Sequence, residues 1–246
     1  PLRSSAASDV YKRQVFAIIF SINAANADDH SSSDNIYGFV YNFNVSNPAV
    51  VVEALTEYWS SPLAKKNPAS VILRQIVSNG DDPATHSMAV VYSSMAEIDE
   101  TNALNAGTEE MQNFLAKMNA SATLTSEGMF SSTGVTSGNP AIVPAPGRYT
   151  IATSVAVSDP AAYVPAWQKY TTAVNRGSAA TNLFAVNGMG KEPSTHVVTV
   201  SANSMAELFP QDPEMQTELN ALLAEVKDIR TIENRVLYVD LAVFGN

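Results

Sequence analysis

The chain has 246 residues, which is long enough to bury one large core or two small ones. Its 46% hydrophobic and 15% charged residues are typical of a globular protein and exclude a largely disordered chain. Acidic residues outnumber basic ones by 24 to 14. A surface of this sign repels phosphate backbones and anionic lipid, so we expect neither a nucleic-acid nor a membrane partner. The absence of cysteine excludes disulfides, thiolate nucleophiles and iron–sulfur clusters.

The beginning of the chain, residues 1–27, has the parts of a secretory signal peptide. Lys12 and Arg13 precede an apolar segment from Val15 to Ile22, and Ala25-Asn26-Ala27 supplies a small-residue cleavage site. The apolar segment is too short to span a bilayer as a helix. We therefore expect export to the periplasm or the extracellular space; the alternative is a buried helix or strand of the fold.

Two further features bear on this part of the chain. Residues 2–14 resemble a translated sequencing adapter from an environmental read. If they are adapter-derived, the signal-peptide prediction depends on the apolar segment and the cleavage site alone. The polar segment that follows, residues 28–35 with His30, is predicted to be disordered.

Four short motifs recur in the same order about 110 residues further along the chain, which indicates an internal duplication. The spacing between a motif and its copy changes along the chain by only a few residues, which is the size of a loop insertion or deletion. VSNPA from Val45 returns as VSDPA from Val157, PATH from Pro83 as PSTH from Pro193, SMAE from Ser94 as the same letters from Ser204, and EMQ from Glu110 as EMQ from Glu214.

The first half of each copy is predicted to contain a strand, a helix and a second strand. Asn47 and Asp159 are expected helix N-caps, because each precedes a proline that suits the first helical position. Asn-Gly pairs then suit hairpin turns. The predicted strands are 37–45 and 149–157, the helices 48–60 and 160–174, the second strands 71–77 and 183–186, and the turns Asn79-Gly80 and Asn187-Gly188.

The second half of each copy adds a third strand, a helix and a fourth strand. Third strands begin at the PATH and PSTH motifs and run to about Tyr92 and Ala202. Ser94 and Ser204 then have a glutamate three residues on, which is a capping-box pattern. The predicted helices are 108–118 and 213–228, and the fourth strands are 121–130 and 235–244.

The resulting order, βαββαβ twice, predicts two ferredoxin-like repeats at 36–130 and 148–246, joined by a Gly-, Pro-, Ser- and Thr-rich linker at 131–147. Helices cover only one face of such an antiparallel sheet, so the bare faces of the two sheets are expected to pack face to face within the chain. This α+β arrangement resembles the dimeric α+β barrel superfamily in a tandem-repeat form. The resemblance rests on topology and on the duplication, and it leaves a homo-oligomer open.

Members of that superfamily include small oxygenases without cofactors, stress-induced barrel proteins and haem proteins of the chlorite dismutase type. The resemblance therefore implies either a ligand-binding barrel or an enzyme, with haem as a cofactor only in one of the enzyme cases. The sequence contains no matching catalytic motif, so no catalytic residue follows from the resemblance. Nor does it contain a recognisable phosphate loop, metal motif or nucleophile elbow, and we predict no metal.

The strand that opens each repeat alternates between two sets of side chains. Large residues such as Tyr41 and Phe43 are expected to pack under the helices. The smaller, partly polar set would line the space between the sheets, which makes Asn42, Asn44 and Ser154 candidates for ligand binding. A tightly packed barrel without a cavity is the alternative.

Two histidines occupy the same place in both repeats, at the start of the third strand. His86 and His196 could act as acid/base groups or as ligands of a metal or haem. Duplication copies structural residues as faithfully as functional ones, so we favour a structural role in which the ring is hydrogen-bonded to the backbone.

Three further candidates lie in strands: Asp240 as a catalytic residue, and Arg74 and Tyr238 as ligand-binding residues. Asp240 interrupts an apolar segment and shares a face with Tyr238, so it could be a general base in a cavity. Arg74, in the second strand, could likewise either line a cavity or face solvent. Its neighbour Gln75 points to the opposite face, so at most one of the two can line a cavity. For Asp240 and Arg74 we favour the alternative, a solvent-facing edge.

Three functions remain open from the sequence. The first is an exported barrel that binds a small apolar or aromatic ligand, or a protein, without catalysis. The second is a barrel-superfamily enzyme, a cofactor-independent oxygenase or a haem protein, that uses His86, His196 or Asp240. The third is an assembly role through exposed sheet edges.

Overall fold

The structure is a computed structural model that describes residues 36–174, 177–188 and 193–245. The predicted signal peptide, the polar segment at 28–35 and His30 lie outside these residues. The order of elements follows the predicted duplication. The first repeat consists of β1 (Tyr37–Val45), α1 (Pro48–Ser60), a 3₁₀ turn (Ala64–Lys66), β2 (Ser70–Ser78), β3 (His86–Tyr92), α2 (Met95–Asn105), α3 (Glu109–Ser121) and β4 (Ala122–Gly138); the second consists of β5 (Tyr149–Val157), α4 (Pro160–Ala173), β6 (Ala179–Gly188), β7 (His196–Ala202), α5 (Met205–Leu208), α6 (Pro213–Val226) and β8 (Arg230–Gly245).

The predicted helix caps are present, with one difference. The side chain of Asp159 accepts a hydrogen bond from the backbone N–H of Ala162, whereas Asn47 holds the same position without a side-chain cap. Ser94 and Ser204 each accept from the N–H of the glutamate three residues on, at 3.2 Å. These two caps begin helices that were not predicted as separate elements, α2 and the single-turn α5.

All eight strands form one closed antiparallel barrel, in the order β1-β3-β2-β8-β5-β7-β6-β4. Each repeat contributes four adjacent strands, and the two sheets join edge to edge at two seams, β2 with β8 and β4 with β6. The predicted fold class, two ferredoxin-like repeats that enclose a barrel, is confirmed. Closure leaves no unpaired edge strand in the described part of the chain, so the assembly role through exposed edges loses its basis.

The seams also explain two differences from the predicted boundaries. β4 runs eight residues beyond the predicted end at 130, into the expected linker, because Ser131 to Gly138 pairs with β6. Similarly, Asn187 and Gly188 belong to the end of β6 instead of a turn, because Gly188 pairs with Met129 of β4. The connection between the repeats is therefore residues 139–148. Gly80 does adopt the positive φ, +73°, that a tight turn after β2 requires.

Helices cover the outside of the barrel and bury the large side chains of the strands. Tyr41 and Phe43 of β1 are 9% and 3% exposed, as predicted from the alternation. In the second repeat, Tyr163 and Trp167 of α4 form a cluster with Val155 of β5 and other apolar residues of the sheet. The hydrophobic core therefore lies between the sheet and the helices, and the inner face of the barrel is left to other side chains.

Two glycines end the seam strands at equivalent positions. Gly138 ends the pairing of β4 with β6, Gly245 ends that of β8 with β2, and their φ angles are +94° and +100°. A Cβ atom at Gly138 would overlap the carbonyl oxygen of Ala179, and one at Gly245 would overlap that of Ala69. Only glycine lets the two backbones approach this closely.

Replacement of either seam glycine should therefore destabilise the barrel. Gly134 has a similar φ of +79° but open space around it, so Gly134→Ala should cost only the positive-φ strain of about 1–2 kcal/mol. Gly138→Ala and Gly245→Ala should each cost about 1–3 kcal/mol more, because the neighbouring strand must move. Urea denaturation of the three variants measures the difference, and equal losses in all three would contradict the seam assignment.

Candidate functional site

The barrel encloses a cavity of about 570 Å³. Inward-facing residues of the opening strands line it as predicted, namely Val40 and Asn42 of β1 and Thr150, Ala152 and Ser154 of β5. Asn44 does not line the cavity and is exposed; the pairing of β1 with β3 ends one residue earlier, at Phe43, although β1 still pairs with β4 at Asn44. Most of the remaining wall is apolar and comes from β2, β3, β4, β6, β7 and β8. These residues include Ile72, Ile76, Ala89, Val91, Met129, Phe130, Phe184, Val186, Val197 and Val236.

A buried ion cluster lies in the wall of the cavity. Asp240 is 1% exposed, and its Oδ2 accepts a hydrogen bond from Nε of Arg148 at 2.7 Å. Its Oδ1 accepts from Nε of Arg74 at 3.2 Å. Arg74 and Arg148 both line the cavity, and their side chains are 15% and 7% exposed.

The expectation of a solvent-facing edge is therefore wrong for both Asp240 and Arg74. β8 is not an edge strand, because it pairs with β2 on one side and with β5 on the other. Alternation along β8 turns Asp240 to the same inner side as Tyr238, and the buried carboxylate is compensated by two guanidinium groups. Gln75 is exposed, as the opposite parity of its neighbour requires.

The backbone fixes the position of Arg148 in this cluster. The N–H of Asp240 donates to the carbonyl of Arg148 at 2.9 Å, and the N–H of Gly147 donates to the carbonyl of Asp240 at 2.8 Å. Burial lowers the pKa of the Arg148 guanidinium and the charge of Arg74 lowers it too, whereas Asp240 raises it. An arginine nevertheless stays charged in proteins, so the cluster holds two positive groups and one negative group.

Tyr238 connects the ion cluster to the cavity. The guanidinium carbon of Arg74 lies over its ring, 5.6 Å from the ring centroid, in a cation–π contact. Burial raises the pKa of the Tyr238 phenol, so the group is a neutral hydrogen-bond donor at physiological pH. Elsewhere in the cavity wall, Asn42 donates from Nδ2 to Ser126 Oγ at 2.9 Å, and its buried Oδ1 has no hydrogen-bond partner among the described residues.

The two histidines lie elsewhere. His86 and His196 are 9% and 5% exposed, and neither lines the cavity. In each repeat Nδ1 lies 3.0 Å from the hydroxyl of the preceding threonine, Thr85 or Thr195. That hydroxyl also accepts an N–H from the end of the opening strand, so the motif ties two strands together. The favoured structural role fits this geometry, although the partner is a side chain and not the backbone.

Arg148, Phe130 and Phe184 are among the residues of the cavity wall that sequence reasoning missed. Arg148 has the same parity as Thr150, Ala152 and Ser154, so strand alternation could have found it had β5 been extended by one residue. Phe130 and Phe184 also line the cavity, with ring centroids 5.1 Å apart in an edge-to-face contact. Nothing in their local sequence separates a cavity-lining phenylalanine from one in the helix-covered core.

Comparison with known proteins places the fold. No protein-family model matches the chain, and neither does any curated protein. A candidate monooxygenase from Fusobacterium nucleatum superimposes with a TM-score of 0.60 at 9% identity, over 86% of this chain and 94% of that one. An anthrone oxidase-like protein gives 0.57 at 14% identity, over 86% and 93% of the two chains. A candidate monooxygenase from Lactobacillus acidophilus gives 0.54 at 10% identity, over 86% and 96%.

At these identities the similarity establishes the fold. The chain has the dimeric α+β barrel fold, with both halves of the barrel in one polypeptide. Two other features of the described residues bear on function. None of their helices is both long and apolar enough to cross a bilayer, and they contain no group of three or more His, Asp or Glu side chains placed to hold a metal ion.

Loss of the buried carboxylate should destabilise the protein strongly. Asp240→Asn leaves two guanidinium groups in the barrel wall without a counter-charge, and we expect the free energy of unfolding to fall by about 3–5 kcal/mol in urea denaturation. Asp228 is exposed, so Asp228→Asn is the matched control and should change stability by less than about 0.5 kcal/mol. A loss below 1 kcal/mol for Asp240→Asn would contradict the assigned cluster.

The two histidines should make stability depend on pH. Burial lowers the pKa of His86 and of His196 below the value of about 6.5 in the unfolded chain. Below that pH the unfolded state binds more protons, so the free energy of unfolding should fall as the pH falls from about 7 towards 5. The double variant His86→Gln/His196→Gln should show a smaller fall over this range in urea denaturation. An unchanged slope would contradict buried neutral imidazoles.

Proposed function

We propose that this protein is an exported α+β barrel that binds one small, largely apolar or aromatic molecule in its central cavity. The observation that carries the proposal is the cavity itself, of about 570 Å³ and mostly apolar. Ligand pockets of this kind span roughly 300–1,000 Å³ and combine an apolar wall with a few polar groups that orient the ligand.

Small side chains create the cavity. Ala89, Gly128, Ala152 and Ser154 face inward at positions where larger residues would fill the barrel. An eight-stranded barrel either packs its interior with side chains or holds one small ligand. This lining supports the second arrangement over the alternative from the sequence, a tightly packed barrel without a cavity.

Connections between strands line the cavity at its two ends. β2 and β5 run parallel, so Asn79, Asp82 and Pro83, which follow β2, and Pro144, which precedes β5, lie at opposite ends of the barrel. Asp82, Pro83 and Pro144 are exposed, so a ligand can reach the cavity past either of these connections without disruption of the strand ladder. Such connections are also the parts of a barrel that move most readily.

An enzymatic role is a second proposal, and it is supported by the neighbours that carry monooxygenase and oxidase names. In this chain, His86 and His196 lie outside the cavity, so a histidine-ligated haem in the cavity does not fit the described residues. A cofactor-independent oxygenase would have to use Tyr238 or the ion cluster of Asp240. Oxygen uptake with an anthrone, abolished by Tyr238→Phe, would support it.

Ligand binding can be tested with the uncharged fluorescent probe N-phenyl-1-naphthylamine. The wild-type protein should bind one molecule, and Ala152→Phe should weaken binding at least about tenfold, because the added ring occupies the cavity. Ala103 is exposed on α2, so Ala103→Phe adds the same ring outside the barrel and should bind like the wild type. Wild-type affinity in a folded Ala152→Phe variant would rule out the cavity as the binding site.

A further inference from the structure

The two seams of the barrel are equivalent in backbone but differ in chemistry. Gln75 pairs with His86 and Ala185 pairs with His196, so the preceding residues, Arg74 and Phe184, occupy equivalent places. In the adjoining strands, Thr150 pairs with Tyr238 and Gly38 pairs with Phe130, so Tyr238 and Phe130 are equivalent too. An Arg–Tyr cation–π pair in one seam therefore stands where the other seam has a Phe–Phe pair.

The rest of the ion cluster also has an uncharged counterpart. Tyr149 pairs with Val239 and Tyr37 pairs with Ser131, so the next residue along each fourth strand, Asp240 or Ser132, is equivalent. The residue before each opening strand is Arg148 in one repeat and Ile36 in the other. One seam thus carries three ionised groups where the other carries a serine, an isoleucine and a phenylalanine.

This difference shows that closure of the barrel does not require charge. The seam of β4 and β6 closes with uncharged side chains, which are apolar, hydroxyl or amide groups. A buried ion cluster is usually no more stable than a well-packed apolar replacement, and it is often less stable. The charges of Arg74, Arg148 and Asp240 are therefore better explained by what they present to the cavity than by the strength of the fold.

The cluster presents positive charge and free donors to the cavity. Both arginines contact Asp240 through Nε, and no hydrogen bond joins their terminal nitrogens to any described residue. The guanidinium fork suits two parallel hydrogen bonds to a carboxylate. One acidic residue, Asp82, also lines the cavity, but it is exposed and its Oδ1 accepts the N–H of Ala84 at 2.8 Å.

An aromatic wall lies at the equivalent place across the barrel. Phe130 and Phe184 both line the cavity, and Gly38 leaves room for them: a Cβ at Gly38 would overlap the Phe130 ring and the carbonyl oxygen of Val90. The same cavity therefore offers ring edges and faces on one side and guanidinium donors on the other.

We propose that the natural ligand class is an aromatic carboxylic acid, with its ring against Phe130 and Phe184 and its carboxylate at Arg74 and Arg148. This inference depends on the proposed function and specifies the ligand class of the same cavity. The apolar wall accounts for binding of the ring, and the guanidinium groups select the anion over its neutral analogues.

Two probes of nearly equal shape test this proposal by titration calorimetry at neutral pH: naphthalene-2-carboxylate and naphthalene-2-carboxamide. The wild-type protein should bind the carboxylate at least about tenfold more tightly than the carboxamide. Arg74→Gln keeps the closer pair of Arg148 and Asp240, and it should weaken carboxylate binding about tenfold while the carboxamide is affected little. Phe184→Leu should weaken both probes to a similar degree.

Arg235 is exposed on β8, so Arg235→Gln controls for the loss of one positive charge and should bind both probes like the wild type. Thermal unfolding of each variant confirms that the protein is folded. Equal affinity for the two probes in the wild type, with both weakened by Ala152→Phe, would overturn the carboxylate preference and leave cavity binding in place. Binding of both probes that Ala152→Phe does not change would overturn the cavity site and this inference together.

Discussion

The structure depends on the pairing of sheet edges. A four-stranded sheet with helices on one face has two problems: a bare face and two edges of unpaired N–H and C=O groups. Here the second repeat solves both, because β8 pairs with β2 and β6 pairs with β4, while the bare faces turn inward. Every strand of the barrel then has two neighbours. Gly138 and Gly245, at the ends of the seams, are the places where this closure requires a particular residue.

Much of this architecture could be predicted from the sequence, because the duplication repeats each weak local pattern, and two occurrences support the same element. The alternation of β1 and β5 predicted which residues face inward, and the paired serines were predicted as N-caps after each third strand, although the helices that they begin, α2 and α5, were not predicted as separate elements. The predictions failed at the seams. The extension of β4 over Ser131 to Gly138 depends on β6 of the other repeat, more than 40 residues away. The burial of Asp240 depends on Arg74 of the other repeat and on Arg148, which are 166 and 92 residues away. Local composition there indicates a linker and an exposed edge.

In the candidate site, too, local sequence predicted some features, whereas others depend on distant parts of the chain. Asn42, Ser154, Arg74 and Tyr238 could be named from strand parity, but their common location around one cavity could not, since that requires the strand order of the closed barrel. The histidines were the more conspicuous pattern, and their hydrogen bonds to Thr85 and Thr195 explain why both repeats keep them. A repeated residue thus marks shared architecture, whereas the residues that differ between the repeats, such as Arg74 and Phe184, give the cavity its chemistry.

The direction of the strands has a consequence for how the gene can be rearranged. Both repeats run in the same direction along the barrel. The position of the end of β8 relative to the start of β1 is therefore equivalent to the position of the end of β4 relative to the start of β5. The chain already bridges the second gap with residues 139–148. A bridge of similar length from Gly245 to Ile36, with a new opening in 139–148, would give a circular permutant in which the C-terminal half is synthesised first and the same barrel closes around the same cavity.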